Sequence, residues 1–213
     1  DVHGLNPATG EELWKVPSAP HFGSPVAAKV GDRTLVLTTN GELINAADGA
    51  VVTQKLGAVT FNCPLIADGM LCFFNEGKAW AWKTPEAGGS NTIVRAWETK
   101  VVGARHYASP VCHDGVLYGL ADGGTLTLLD IKTGAKIAEK KLALKGTCYP
   151  SLVIVGSLLY AFSEEGTAVI MEATREAKEV AQPKLEPLRC TPLFAGNRMF
   201  VHTVNNLFCL GSK

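Results

Sequence analysis

The sequence predicts an all-β fold, a β-propeller of four-stranded antiparallel blades, and three observations support this prediction. A unit that opens with Pro recurs about five times, each unit has turn residues at matching places, and the strand after its first turn is almost entirely apolar. The opening prolines are Pro25, Pro64, Pro110, Pro150 and Pro192, spaced by 39, 46, 40 and 42 residues. A period of about 40 to 50 residues that holds several short strands is typical of propeller blades.

The first turn of each unit joins two short strands through two residues. The five pairs are Gly31-Asp32, Asp68-Gly69, Asp114-Gly115, Gly156-Ser157 and Gly196-Asn197. Asp-Gly supplies the two positive φ angles of a type I′ turn, and a leading Gly suits a type II′ turn. Both turns match the twist of antiparallel strands, so each unit is predicted to begin with a tight β-hairpin.

The strand after this turn is apolar along nearly its whole length in all five units, at residues 34–38, 70–74, 116–120, 158–162 and 199–203. Such a strand must be covered on both faces of its sheet. A radial arrangement of sheets provides that cover without leaving end sheets exposed. A second turn and a third strand follow, and residues 97–102 and 135–142 suit polar outer strands.

The repeat boundaries divide the chain into a partial blade at 1–16, blades at 23–57, 61–102, 106–143 and 147–182, and a partial blade at 188–210. The longest loop, residues 83–91, accounts for the 46-residue spacing and follows Trp80 and Trp82. Because the first segment begins in mid-repeat, we expect residues 2–5 to pair with residues 13–16 in a partial blade of their own. On this interpretation the chain is part of a larger ring of about seven or eight blades.

Composition argues against several classes of partner. Lys+Arg and Asp+Glu both number 20 in 213 residues, so there is no excess positive charge to hold a nucleic acid or an anionic membrane. No apolar run approaches the roughly 18 residues of a membrane span. We therefore expect neither nucleic-acid binding nor a transmembrane segment.

The six cysteines contain no CxxC or CxxCH pair, which argues against a zinc ribbon or a c-type haem. Buried free thiols and up to three disulfides are both compatible with their spacing. Cys72 and Cys112 lie in strands of successive units, and we predict that they form no bond.

Several motifs resemble the repeats of the pyrroloquinoline-quinone-like (PQQ-like) β-propeller superfamily. They are residues 6–14 and 130–134, which contain a Thr-Gly turn, Ser-Pro-Val at 24–26 and 109–111, and Asp-Gly-x-Leu at 68–71 and 114–117. The likeness covers almost the whole chain. The superfamily includes quinoprotein alcohol dehydrogenases and also non-catalytic envelope proteins, such as the lipoprotein that assists outer-membrane β-barrel assembly.

The enzyme branch of that superfamily implies a quinone beside two adjacent bonded cysteines and a calcium ion held by carboxylate and amide oxygens. Here no two cysteines are adjacent, and Asp32, Asp68, Asp114 and Asp122 lie in turns that they serve to shape. We therefore expect no cofactor and favour a non-catalytic protein. The alternative is a fragment of a PQQ- and calcium-dependent quinoprotein oxidoreductase whose catalytic groups lie outside this chain.

The candidate binding site is the ring of residues just before each opening proline, since equivalent positions in a propeller surround one mouth of its channel. The candidates are His21, Asn62, Cys63, His106, Tyr107, Cys148, Tyr149, Arg189 and Cys190. A metal site, a contact surface for a small molecule or peptide, and plain channel lining are the three interpretations.

The sequence therefore predicts a bacterial, non-catalytic, PQQ-like propeller that acts as a binding scaffold for a protein, peptide or other ligand. The resemblance places it in the cell envelope, in the periplasm or secreted outside the cell.

Overall fold

The computed structural model describes residues 1–85 and 92–211, and every regular element in these ranges is a β-strand. An N-terminal pair is formed by β1 (Val2–Leu5) and β2 (Glu12–Val16). Blade 1 contains β3 (Val26–Val30), β4 (Arg33–Leu37), β5 (Leu43–Asn45) and β6 (Val51–Thr53), and blade 2 contains β7 (Leu65–Ala67), β8 (Met70–Asn75), β9 (Lys78–Lys83) and β10 (Arg95–Lys100). Most of the predicted long loop, residues 86–91, lies outside the described ranges.

The second half of the chain continues the pattern. Blade 3 contains β11 (Val111–His113), β12 (Val116–Leu120), β13 (Thr125–Asp130) and β14 (Lys136–Lys141). Blade 4 contains β15 (Val153–Val155), β16 (Leu158–Phe162), β17 (Ala168–Glu172) and β18 (Glu179–Ala181), and blade 5 contains β19 (Leu193–Ala195), β20 (Arg198–His202) and β21 (Leu207–Gly211). Blades 1 to 4 are four-stranded antiparallel sheets and blade 5 has three strands, so the predicted propeller is confirmed.

The first hairpin of every blade has the predicted two-residue turn. Asp68 and Gly69 both have positive φ angles, 48° and 72°, as a type I′ turn requires. Gly31 has a φ of 64°, whereas the Asp32 that follows it is not among the positive-φ residues, which fits a type II′ turn. Turn chemistry thus sets the register of the two inner strands in each blade.

The core lies between blades, because each central strand is apolar on both faces. Three buried clusters fill the spaces between blades 1 and 2, 2 and 3, and 3 and 4. Tyr118 at the centre of β12 is fully buried, as are Phe73 and Phe74 in β8. Burying large side chains contributes about 1.5–3 kcal/mol each, so blade stacking holds the propeller together.

Tryptophan side chains tie an outer strand to the next blade. Trp97 in β10 packs on Gly134 of blade 3, and its Nε1 donates a hydrogen bond to the Ile131 carbonyl at 2.9 Å. Trp14 in β2 makes the same contact with blade 1, where its Nε1 donates to the Ala46 carbonyl at 2.9 Å. The N-terminal pair therefore packs against blade 1 in the way that the outer strand of blade 2 packs against blade 3.

The expected pairing of the N-terminal residues is confirmed. Val2 pairs with Val16 and His3 with Lys15 in a separate two-stranded sheet. In the described ranges β21 pairs with β20 alone, so it forms one edge of blade 5. The larger ring stays a prediction.

Candidate functional site

A chain of hydrogen bonds joins the five loops that lead into the first strands of the blades. Each backbone N–H donates to the side chain at the matching position of the next blade. The bonds run from Ser24 to Cys63 Sγ (3.3 Å), Cys63 to Ser109 Oγ (3.0 Å), Ser109 to Ser151 Oγ (3.2 Å) and Ser151 to Thr191 Oγ1 (2.8 Å). This inter-blade ladder shows which residues are equivalent.

The ladder corrects the sequence alignment of the fourth repeat. An alignment on the prolines makes Pro150 equivalent to Pro110. The hydrogen bond shows instead that Ser151 is equivalent to Ser109, so the residue equivalent to Pro110 is Leu152. The alignment was wrong by two residues because the proline of the fourth repeat stands two residues earlier than the prolines of the other repeats. The shift makes Tyr149 equivalent to Tyr107.

In this corrected register, aromatic side chains form a continuous row across the loops. Ring centroids are 5.5 Å apart for Phe22 and Phe61, 4.8 Å for Phe61 and Tyr107, and 4.7 Å for Tyr107 and Tyr149. The guanidinium of Arg189 lies 5.1 Å from the centre of the Tyr149 ring. We call these five residues the aromatic arc.

The aromatic arc is accessible and changes character along its length. Phe22 at one end is 82% exposed, the three central rings are half-buried, and Arg189 at the other end is exposed. Arg189 Nη2 also donates to Glu164 Oε2 at 3.3 Å. One end therefore offers an apolar face and the other a cation and a carboxylate.

Three of the candidate residues point into the protein instead. Asn62 is 1% exposed and its Nδ2 donates to the carbonyls of Phe74 (2.9 Å) and His106 (2.7 Å), so it joins blades 2 and 3. Cys148 is fully buried, and burial raises the pKa of its thiol to about 12. These buried residues pack beneath the loops and are not part of the exposed surface.

His106 is the third of these buried candidates. It is 2% exposed and its ring lies 5.5 Å from that of Phe74, and neither ring nitrogen has a hydrogen-bond partner among the described residues. Burial lowers the pKa of His106 to about 4, although the charge of Asp122 acts in the opposite direction. The imidazole is therefore neutral at physiological pH.

The remaining candidates lie apart from one another. His21 is half-buried beside Thr38 and Thr39 in a small pocket under the first loop, and Cys63 is a member of the ladder. Cys190 is exposed and lies beside His202 of β20. Of the nine candidates, the structure brings Tyr107, Tyr149 and Arg189 together at the surface, and Asn62 meets His106 between blades 2 and 3.

Sequence reasoning missed Phe22, Phe61 and His202. Phe22 and Phe61 stand three residues before their prolines, as Tyr107 does, and that recurrence was a signal for the row. His202 carried no such signal, since it lies inside a strand.

The metal interpretation receives no support from the geometry of the described residues. Across residues 1–85 and 92–211 no three His, Cys, Asp or Glu side chains come together in a group that could hold a metal ion. All six cysteines are free thiols. Cys72 and Cys112 lie near Asp68, and burial is the largest cause that raises the pKa of each, to about 12 for Cys112.

A family model described as "Outer membrane protein assembly factor BamB" matches residues 1–212. The match confirms the resemblance to PQQ-like propellers, which rested on the repeats. No curated protein matches the chain. The described residues contain no helix long and apolar enough to cross a membrane.

Solved structures with the same fold are distant in sequence. BamB from Moraxella catarrhalis superposes with a TM-score of 0.69 at 17% identity, and the computationally designed Ika8 protein with a TM-score of 0.71 at 13% identity. Each comparison covers 95% of this chain. The chain spans 62% of the length of each of these two proteins.

Proposed function

Since the chain belongs to the family of the outer membrane protein assembly factor BamB, we propose that it is a non-catalytic, protein-binding propeller of the bacterial cell envelope. The aromatic arc is the surface through which it binds. Its partner is a protein that presents an extended segment with apolar or aromatic side chains at one end and polar, charged groups at the other.

The composition of the aromatic arc supports this proposal. Tyr and Arg are the residue types most enriched, with Trp, among those that contribute most of the binding energy in protein interfaces. Aromatic contacts add about 0.5–1.5 kcal/mol per pair beyond the area that they bury, and a cation over a ring adds a similar amount. A row of four rings and one guanidinium therefore suffices to anchor a short segment.

The ladder beneath the arc supports a binding role as well. Hydrogen bonds of 2.8–3.3 Å from backbone N–H groups to side chains hold successive loops in register. A further bond from the Phe22 N–H to the Thr60 carbonyl, at 3.0 Å, joins the first two loops. Side chains on a rigid support lose little conformational entropy when a partner binds. The arc is thus organised before its partner arrives.

Site-specific photocrosslinking in cells that carry the whole gene product tests the proposal. A photoreactive residue at position 22 should capture an envelope protein, whereas one at Val51, which is 47% exposed on an outer strand, should not. Fractionation of the same cells shows whether the protein resides in the envelope.

The captured partner then allows a quantitative test with purified proteins. Phe22→Ala and Tyr107→Ala should each weaken binding at least about tenfold, and Val51→Ala should leave it unchanged. Equal capture from positions 22 and 51, or wild-type affinity in both arc variants, would overturn the proposal.

A further inference from the structure

Cys190 and His202 form a close pair at the surface of blade 5. Cys190 Sγ lies 3.7 Å from His202 Nδ1, which is within hydrogen-bonding distance for sulfur. Cys190 comes from the loop before β19, and His202 is the last residue of β20. Both side chains border a cavity of about 180 Å³ whose other walls are Arg189, Thr203 and Val204.

The pair is particular to this blade. The residue equivalent to His202 at the end of the second strand is Leu37, Leu120 or Phe162 in three other blades. The ladder makes Cys190 equivalent to Ala108 and Pro150. The repeat pattern therefore does not require a thiol or an imidazole here. The neighbouring Arg189 also borders this cavity, and its guanidinium pairs with Glu164 Oε2 at 3.3 Å.

The other thiols are in different surroundings. Cys72 and Cys148 are fully buried, and Cys112 is half-buried next to the Asp68 carboxylate. Cys63 Sγ accepts the ladder bond from Ser24. Cys209 on β21 is exposed like Cys190, but among the described residues no His, Arg or Lys side chain forms a hydrogen bond with its thiol.

We propose that Cys190 is a thiol–disulfide exchange site for small anionic disulfides, with His202 as its proton acceptor and Arg189 as the group that attracts the anion. A thiolate rather than a thiol is the nucleophile in such exchange, so a base within hydrogen-bonding distance promotes the reaction. The cavity beside Cys190 measures about 180 Å³, so the proposed reactant is a small disulfide.

The reaction balances without another reagent. The Cys190 thiol proton passes to Nδ1 of His202, and the thiolate attacks one sulfur of the small disulfide. A new S–S bond forms to Cys190 while the old S–S bond breaks, and the departing thiolate takes up a proton. Cys190 is oxidised to a mixed disulfide and one half of the disulfide is reduced to a thiol.

The anionic reagent 5,5′-dithiobis(2-nitrobenzoate) serves as the probe, and neutral 2,2′-dithiodipyridine serves as its uncharged counterpart. Mass spectrometry after short exposures of the native protein measures the rate at each cysteine. Cys190 should react about tenfold faster than Cys209 with the anionic probe. Cys190→Ser should remove the fast phase, and the matched Cys209→Ser should keep it.

Two further variants separate the assigned roles. His202→Gln should slow Cys190 several-fold with both probes, because the proton acceptor is lost. Arg189→Gln should slow only the anionic probe, since it removes charge attraction alone. Circular dichroism and thermal melts check that each variant is folded.

Equal rates at Cys190 and Cys209 in the wild-type protein would overturn the proposal. Wild-type reactivity of Cys190 in the folded His202→Gln variant would also overturn it. Arg189 belongs to the aromatic arc as well, but the exchange is measured on the isolated protein without a partner, so the failure of one proposal is distinguishable from the failure of the other.

Discussion

Acidification should destabilise the propeller through His106. The folded protein holds this imidazole neutral with a pKa of about 4, because it is buried, whereas the unfolded chain binds a proton near the ordinary value of 6.5. Below pH 6.5 the unfolded state therefore carries more protons than the folded state, and stability falls as the pH falls. The loss develops between pH 6.5 and pH 4 and is complete below that.

The magnitude follows from the separation of the two pKa values. Each pKa unit corresponds to about 1.4 kcal/mol, so the full separation is worth about 3 kcal/mol. At pH 5 the unfolded histidine is almost fully protonated and the folded one is not, which gives a loss of about 2 kcal/mol relative to pH 7. That is a substantial part of a typical domain stability of about 5–15 kcal/mol.

Urea denaturation followed by tryptophan fluorescence measures this loss. Wild-type protein and the variants His106→Phe and His106→Leu are each unfolded at pH 7 and pH 5. Both variants lack the titrating ring, so their stability should fall by about 2 kcal/mol less than that of the wild type over this interval.

The comparison within each variant cancels any cost of repacking, because only its own change with pH is used. The reasoning is refuted if the wild type and the two His106 variants lose the same stability between pH 7 and pH 5.

Three further substitutions test the contacts between and within blades. Trp97→Phe should lower the free energy of unfolding by about 1–2 kcal/mol, since the hydrogen bond to the Ile131 carbonyl is lost while a large ring remains. Unchanged urea unfolding would contradict this prediction. Asn62→Ala should lower the free energy of unfolding by about 1–3 kcal/mol, because two buried carbonyls lose their hydrogen-bond donor. Faster exchange of backbone amide hydrogens where blades 2 and 3 meet would show this loss. Glu42→Gln should destabilise at pH 7 and lose this effect in acid. Burial acts to raise the pKa of Glu42, but hydrogen bonds from Thr38 and two other polar side chains outweigh it and lower the pKa. The carboxylate therefore stabilises the folded protein at pH values above its ordinary pKa of 4.5, and this contribution is lost as the pH falls through the lowered pKa. Unfolding midpoints of the variant and the wild type that differ equally at pH 7 and pH 3 would be evidence against this prediction.

The fold could be predicted because it depends on short-range chemistry that repeats. Each Asp-Gly or Gly-first turn closes a hairpin from local backbone preferences, and each doubly apolar strand requires cover on both faces. Trp14 and the Thr-Gly turn of residues 9–10 likewise indicated that the first two strands correspond to the outer strands of a repeat. These signals needed no knowledge of which residues meet across blades.

The candidate site could be predicted only in part, since its members come from different blades. The loops before the opening prolines were identified, but Pro150 led the fourth repeat out of register, and only the ladder bond between Ser109 and Ser151 corrected it. A proline reflects the local conformation of the backbone, whereas the register between blades is decided by long-range hydrogen bonds. The row that joins Tyr107 to Tyr149 therefore emerges only in three dimensions.

Burial separated residues that look alike in the sequence. His21 and His106 occupy similar places, four residues before a proline, yet one is half-buried and the other is packed against Phe74 between two blades. Cys190 gains His202 as a neighbour because blade 5 folds β20 back beside the loop that precedes β19. The sequence determined the blades and their turns, and only tertiary packing decided which polar side chains face solvent, because exposure depends on what neighbouring blades cover.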